Sequence, residues 1–246
     1  MRWLKLFPYT VGITFFLLFG SILLFLPYGD FLKELLSEEF LYALRLTVLT
    51  ALVSTAVVLS VSIPTAYGLA RFDFPLKGLI KVFIDLPMFF PELLMGLLLL
   101  LFFSNLLKVQ IAFTTTAVVL AEIFVSLPFA VKILYTTFVG IDKRYELVAR
   151  SLGYKPIEVF FKVVLPMAKD GLLAALVVAF ARSFGAFGAV LIFAGGVYMK
   201  TETLPVGIFL NISYGNIERA SLMGFLLMVV SFLTLFTFER LTSRRG

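Results

Sequence analysis

An all-α integral membrane protein with six transmembrane helices and one long cytoplasmic loop is the fold class this sequence predicts. Three observations predict it. The chain is 61% hydrophobic and only 15% charged, with a mean hydropathy of +1.06, whereas a soluble domain is roughly half apolar and a quarter charged. The apolar residues are gathered into six runs, each near the ~20 residues a helix needs to cross about 30 Å of hydrocarbon. The basic residues fall mainly in alternate loops. Short alternating segments of the kind that build a membrane barrel are not evident.

The expected spans are 9–27, 41–69, 79–103, 111–139, 166–194 and 218–238. The first is long for the apolar part of a signal peptide and no small-residue cleavage site follows it, so it is read as a retained helix. The 28–40 loop carries Asp30, Glu34, Glu38 and Glu39 against Lys33, which suits an external loop. Pro87 and Pro91 free backbone carbonyls in the third span and kink it. Gly195–Leu204 forms the third external loop. Fourteen of the 21 basic residues lie on one side: Arg2, Lys5, Arg71, Lys77, Lys81, Lys143, Arg144, Arg150, Lys155, Lys162, Lys169, Arg240, Arg244 and Arg245. That side is cytoplasmic, and both termini lie there. The same bias accounts for the formal charge of +6 better than nucleic-acid binding does. The expected location is the plasma membrane, with lipid as solvent.

The longest cytoplasmic loop contains "ELVARSLGYKPIEVFFKVVLP", Glu146–Pro166, and reads as two short helices. Glu146 and Arg150 are four apart, acid first, the favourable order for a helical pair. Gly153 ends the first helix, since it tolerates a left-handed backbone. Pro156 opens the second, and Pro166 sets the angle at which the chain returns to the bilayer. On physics alone the loop is either an interfacial amphipathic connector or a docking surface for a cytoplasmic partner.

Here the sequence resembles the permeases of ABC importers. Their loop has the form E-A-A, three residues, G, nine residues, I, one residue, L-P. This chain has Ala149, Gly153, Val163 and Leu165-Pro166 at that spacing. Val148 stands at one alanine, Val163 at the isoleucine, and Leu147 at the acid, with Glu146 one residue earlier. Two segments narrow the likeness. "DLPMFFPELLMGLLLLLFF" (Asp85–Phe103) and "ARSFGAFGAVLIFAGGVYMKTETLPVGIFL" (Ala181–Leu210) are similar to the third helix and the A-R-S-x-G-x-F-G-A segment of molybdate and sulfate permeases. Ala186 departs from the pattern, since the family commonly has Glu there, and the change removes a charge near the pathway.

The resemblance implies the type I importer permease fold. It divides the chain into residues 1–39 (first helix and external loop), 40–240 (the transmembrane domain proper) and 241–246 (cytoplasmic tail). It implies a homodimer with the path between two copies, two cytoplasmic ATPase subunits and an external oxyanion-binding protein. It also implies that Glu146, Ala149, Arg150, Gly153, Leu165 and Pro166 couple to the ATPase. ATP and magnesium would be bound by that ATPase, with no cofactor on this chain. The cargo would be molybdate or tungstate, with sulfate as the alternative.

The residues themselves add candidates for the pathway or gate. Gly185 and Gly188, with Ala186 and Ala189, form a small-residue face that lets helices approach closely; Arg182 and Ser183 add polarity beside it. Glu92, Glu122, Lys132 and Arg182 fall inside expected spans, where a central Arg costs roughly 2.5–3.5 kcal/mol on the insertion scale. Lys132 is read as snorkelling to the cytoplasmic boundary. Glu122 and Arg182 lie at comparable depths and form a structural ion pair, unless Arg182 instead meets the anion or its gate. With Pro87 and Pro91, these complete the candidate set.

What the chain lacks narrows its function. No cysteine or histidine is present, which removes thiolate and imidazole chemistry. No G-x-x-x-x-G-K-[ST] phosphate loop occurs, so ATP would be hydrolysed on another subunit, and the chain is not expected to be an enzyme. No regulatory domain is expected after Glu239–Gly246. Two other readings compete. An ion-coupled secondary transporter would use Glu92, Glu122 and Arg182, but no inverted repeat is evident. A membrane-embedded enzyme has no clustered carboxylates to work with.

Overall fold

A computed structural model describes residues 6–243, with the side chains of 238, 239 and 241–243 excepted. Arg2, Lys5, Arg244 and Arg245 of the orientation argument, and the 241–246 tail as a unit, lie outside the residues so described. The described residues form helices and turns, with no strand among them.

The helices in chain order are α1 (Leu6–Ser21), α2 (Phe31–Leu35), α3 (Glu38–Arg71), α4 (Lys77–Asp85), α5 (Glu92–Leu101), α6 (Thr115–Gly140), α7 (Lys143–Ser151), α8 (Pro156–Val159), α9 (Leu165–Met167), α10 (Lys169–Phe184), α11 (Gly188–Ala194), α12 (Leu204–Ser213) and α13 (Ile217–Ser243). Four helical segments are long and apolar enough to span, namely Leu6–Phe25, α3, α6 and Ile217–Thr237 within α13. Two bent pairs bring the total to six.

The packing follows from small residues. α3 runs along α6 and α10, and α11 sits against α5 and α6. Ala51, Ala66, Ala117, Ala121, Ala130, Ala175, Ala179 and Ala189 are fully buried at 0% exposure. In lipid, where apolar side chains gain little by leaving solvent, such residues let backbones come close enough for dispersion to hold them. Polar side chains within α3 satisfy themselves on its own backbone: Thr47, Thr50 and Thr55 donate to the carbonyls four residues earlier, as the absence of water requires. Ser37 caps α3 and Thr114 caps α6, each accepting from a backbone N–H three residues on. By contrast, α1 has no buried residue, so its whole circumference faces lipid or another chain.

The six runs are found near their expected positions, but two are not single helices. The third span is α4 and a 3-10 turn (Leu86–Met88), then α5 with a π-helical end, and the two arms bend by 115° at Phe89–Pro91. A single Pro kink in a helix interior would be far milder. Here two prolines, Pro87 and Pro91, stand four residues apart, and neither supplies a backbone N–H. The expected fifth span, 166–194, is broken twice. Pro156–Met167 meets α10 at 75°, and α10 stops at Phe184 before α11 starts at Gly188. Gly185 and Gly188 therefore do not share one continuous helical face. The helix α12 has no counterpart in the sequence reading, because ten residues fall below the length of a span.

The loops pin opposite ends of α3, whose 34 residues extend about 50 Å. At one end the 28–40 and 195–204 loops meet. Arg219 is hydrogen-bonded to Glu39 and lies 3.7 Å from Glu34, and the Tyr198 hydroxyl also donates to Glu39. Tyr42 donates to the Lys200 carbonyl at 3.1 Å, and the Leu204 N–H donates to Thr47 at 2.8 Å. At the other end lies the 141–166 loop.

Candidate functional site

Two candidate regions were expected, and the structure puts them at different levels of the molecule. The first is the loop at the Arg71 end of α3. The helix α7 is capped by Asp142, whose carboxylate accepts from the Arg144 N–H at 2.9 Å. It ends with the paired bonds Gly153 N–H to Arg150 carbonyl, 3.0 Å, and Tyr154 N–H to Ala149 carbonyl, 3.2 Å. That closure requires a left-handed residue at 153, where Gly153 has φ of +90°. Pro156 opens α8, and the Glu158 carboxylate accepts from the Lys155 N–H at 3.0 Å.

The expected Glu146–Arg150 pair does not form. Glu146 turns inward, away from Arg150. Its carboxylate accepts from Arg71 Nε at 2.5 Å and from the Tyr67 hydroxyl at 2.8 Å. Arg71 also donates to the Ile141 carbonyl at 2.9 Å. The Arg71 and Glu146 side chains are only 5% and 8% exposed. Ala149 is buried as well, while Arg150 faces outward. Glu146 and Ala149 therefore fasten α7 to α3 and are turned away from the loop's outer surface. That surface is made by residues outside the expected coupling set: Leu147, Val148, Leu152 and Ile157, each between 58% and 73% exposed. The available signal was apolar side chains on the face opposite Glu146 and Ala149, one helical stripe removed. Leu165 is half-buried and Pro166 exposed, next to the 75° bend.

The second region is where the two broken spans meet. Glu92, in the first turn of α5, reaches across to the break between α10 and α11. One carboxylate oxygen accepts from Arg182 Nη2 at 2.8 Å. The other accepts from the backbone N–H groups of Phe187 and Gly188, both at 3.3 Å. Arg182 is thus paired with Glu92, and the expected Glu122–Arg182 pair is absent. Glu122 points to α3, where Thr50 and Ser54 hydroxyls each lie 2.8 Å from its carboxylate oxygens. Equal depth in the membrane did not mean the same face. Ser183 also points away from Arg182 and donates to Ser126 at 3.1 Å within the core.

Of the pathway candidates, Pro91, Arg182, Gly185 and Gly188 are brought together with Glu92, whereas Glu122 and Ser183 lie in a separate buried cluster. Gly188 permits the approach: a Cβ there would stand 2.9 Å from the Leu93 nitrogen and 3.0 Å from the Glu92 Cβ. Ala186 is buried among Met95, Leu99 and Val190. Lys132, expected to snorkel, instead pairs with Asp85 at 2.6 Å, tying the end of α4 to α6. Pro87 lines an apolar cavity of about 800 Å³ in the elbow of the third span, with Met95, Leu99, Phe102 and Phe124. Those walls offer an oxyanion no hydrogen-bond donor, so the elbow suits lipid or a helix better than cargo.

Comparison with known proteins agrees with this architecture. Residues 59–245 match the family described as binding-protein-dependent transport system inner membrane component. The molybdate/tungstate transport system permease protein WtpB of Methanocaldococcus jannaschii is 31% identical, covering 80% of this chain and 83% of its own. The molybdenum transport system permease protein ModB of Azotobacter vinelandii is 35% identical, covering 82% and 93%. The sulfate transport system permease protein CysT of Salmonella typhimurium is 28% identical, covering 97% and 94%. The fold matches a bacterial ABC transporter involved in import of the acidic polysaccharide alginate, with a TM-score of 0.80 at 15% identity over 100% of this chain and 96% of that one. With six spans by this count, two of them broken, and a sequence match over most of its length, the chain belongs to the binding-protein-dependent transport inner membrane family, as an ABC importer permease of the molybdate and sulfate type.

Proposed function

We propose that this permease carries molybdate or tungstate into the cell, driven by ATP hydrolysis on a separate subunit. The observation that carries this reading is the meeting of two broken spans at Glu92, Arg182 and the 187–188 backbone. Irregular backbone at membrane depth is tolerated where it is buried in protein or lines a path. A dianion needs few charges along that path if it is to leave as readily as it enters. The cargo assignment rests on the molybdate and tungstate relatives, at 31% and 35% identity. Sulfate is the second reading, favoured by the sulfate permease that matches 97% of the chain.

The chain works as a homodimer with the path between the copies. Its bare α1 is in keeping with a second chain alongside. The α7–α8 loop, with its exposed Leu147, Val148, Leu152 and Ile157, docks one ATPase per copy, and that ATPase holds ATP and magnesium. An external oxyanion-binding protein docks on the 28–40 and 195–204 face. Both termini are cytoplasmic, in the plasma membrane, and residues 40–240 form the transporting unit.

The test is uptake into proteoliposomes that hold the permease with its ATPase, offered labelled molybdate, tungstate and sulfate on each candidate binding protein. Molybdate and tungstate should enter in an ATP-dependent way. Preference for sulfate would reassign the cargo. ATP hydrolysis by the pure permease, free of any second subunit, would overturn the division of labour.

A further inference from the structure

Three chain segments converge on the Glu92 carboxylate. It belongs to α5, directly after Pro91. Arg182 belongs to the last turn of α10, and Phe187 and Gly188 begin α11. Arg182 has little else to hold it. Its guanidinium carbon lies 4.5 Å from the Phe129 ring centre on α6, and its Nε has no hydrogen-bond acceptor among the described residues. The rest of the α5–α11 contact is apolar, made by Met95, Leu99, Ala189, Val190 and Phe193. Apolar contacts are non-directional and allow sliding, whereas charge-assisted hydrogen bonds fix one register. The Arg182 and Glu92 side chains are 39% and 27% exposed. The pair is therefore reachable from the surface of the single chain.

We propose that Glu92 is the positioning residue of the membrane gate: its carboxylate clips the break in the third span to the break in the fifth and neutralises Arg182. While the clip holds, α5 and the α10–α11 break move as one piece and the path stays shut. When it parts, the two breaks separate and the path opens. The neutralising half matters for an anion carrier. A lone guanidinium beside the path would retain a dianion, and Glu92 prevents that in the closed state. This inference rests on the importer reading above and assigns a role within it.

The experiment uses the whole complex, permease with ATPase and external binding protein, in vesicles preloaded with labelled molybdate for efflux and left unloaded for uptake. ATP-independent efflux, molybdate taken up per ATP hydrolysed, and thermal stability are read together for Glu92→Gln, Glu92→Asp and the pair Glu92→Gln with Arg182→Gln. Losing charge-assisted hydrogen bonds shifts a two-state equilibrium by roughly tenfold or more. Efflux should therefore rise by about that factor in Glu92→Gln, and molybdate per ATP should fall. The paired variant leaves neither charge without its partner, so it should be as stable as the native complex yet still leak. Glu92→Asp keeps the charge but shortens the reach by one methylene, and should leak as well.

A paired variant that is stable, tight and fully coupled would overturn the proposal, leaving the clip a structural ion pair. If the paired variant fails to assemble, Glu92→Asp decides: native-like tightness and coupling there would also overturn it. Failure of the importer reading is a separate result, in which the native complex itself takes up no molybdate, tungstate or sulfate.

Discussion

The Glu146–Arg71–Tyr67 cluster makes the most quantitative prediction. Glu146→Ala removes a carboxylate both of whose oxygens are engaged, at 2.5 Å with Arg71 and 2.8 Å with Tyr67. Arg71 and Glu146 are 5% and 8% exposed, so the stranded guanidinium cannot simply turn to water. Breaking one partner of a buried pair costs about 3–5 kcal/mol. Arg71 keeps its 2.9 Å bond to the Ile141 carbonyl, which puts the cost near the lower end, about 3 kcal/mol. The orphaned Tyr67 hydroxyl adds about 1 kcal/mol. At about 2–4 °C per kcal/mol for a chain of this size, the unfolding midpoint should fall by roughly 8–16 °C. Glu146→Gln preserves volume and one acceptor, so about half that loss is expected.

The assay is the midpoint of heat-induced unfolding in detergent for the single variants and for the triple apolar replacement, Glu146→Met with Arg71→Met and Tyr67→Phe. Replacing a buried ionic cluster by apolar groups of similar volume is often neutral. The triple variant should therefore recover most of the lost midpoint. Reconstituted with its ATPase, it should still co-purify, because the outer apolar face of α7–α8 is untouched, while uptake per ATP falls because α7 is no longer fastened to α3. A Glu146→Ala midpoint within about 2 °C of native would refute the buried-strut argument. Loss of co-purification in a stable triple variant would return Glu146 to the docking surface.

Gly153→Ala should cost about 1 kcal/mol in stability, since φ of +90° strains any side chain, whereas Gly153→Arg should leave membrane yield intact but weaken co-purification with the ATPase. Gly188→Val should push α11 off α5, because a Cβ already meets the Leu93 nitrogen at 2.9 Å, and the thermal midpoint should drop with uptake. Burial raises the carboxyl of Glu202 above its ordinary value, partly offset by Arg219 and reinforced by Glu39. Its stabilising contribution is full below the unfolded value near 4.5 and is lost as pH rises through the folded one. Glu202→Gln should therefore flatten the stability profile over that window and raise the midpoint at neutral pH; an unchanged profile would count against this.

How much of this was readable in the sequence depends on the length scale of each signal. The six runs were legible because a bilayer imposes a span length, and Gly153 was legible because a left-handed closure nearly dictates the residue. The break at 185–187 was hidden, since Phe184-Gly185-Ala186-Phe187 is as apolar as the helices on either side and hydropathy does not register a turn. Matching Arg182 to Glu122 by depth failed for a related reason: position along a helix axis says nothing about which face a side chain takes, and Glu122 faces Thr50 and Ser54 on α3. A usable signal stood at Pro91-Glu92. An acid immediately after a proline marks a helix start, and a helix start inside an expected span means that the span is interrupted there. Glu146 shows the same limit through magnitudes. The local rule favouring Arg150 is worth only about 0.2–0.5 kcal/mol on an exposed helix. Leaving Arg71 buried and unpaired would cost several times that, so the distant arginine takes the carboxylate and the neighbour four residues away is left facing out.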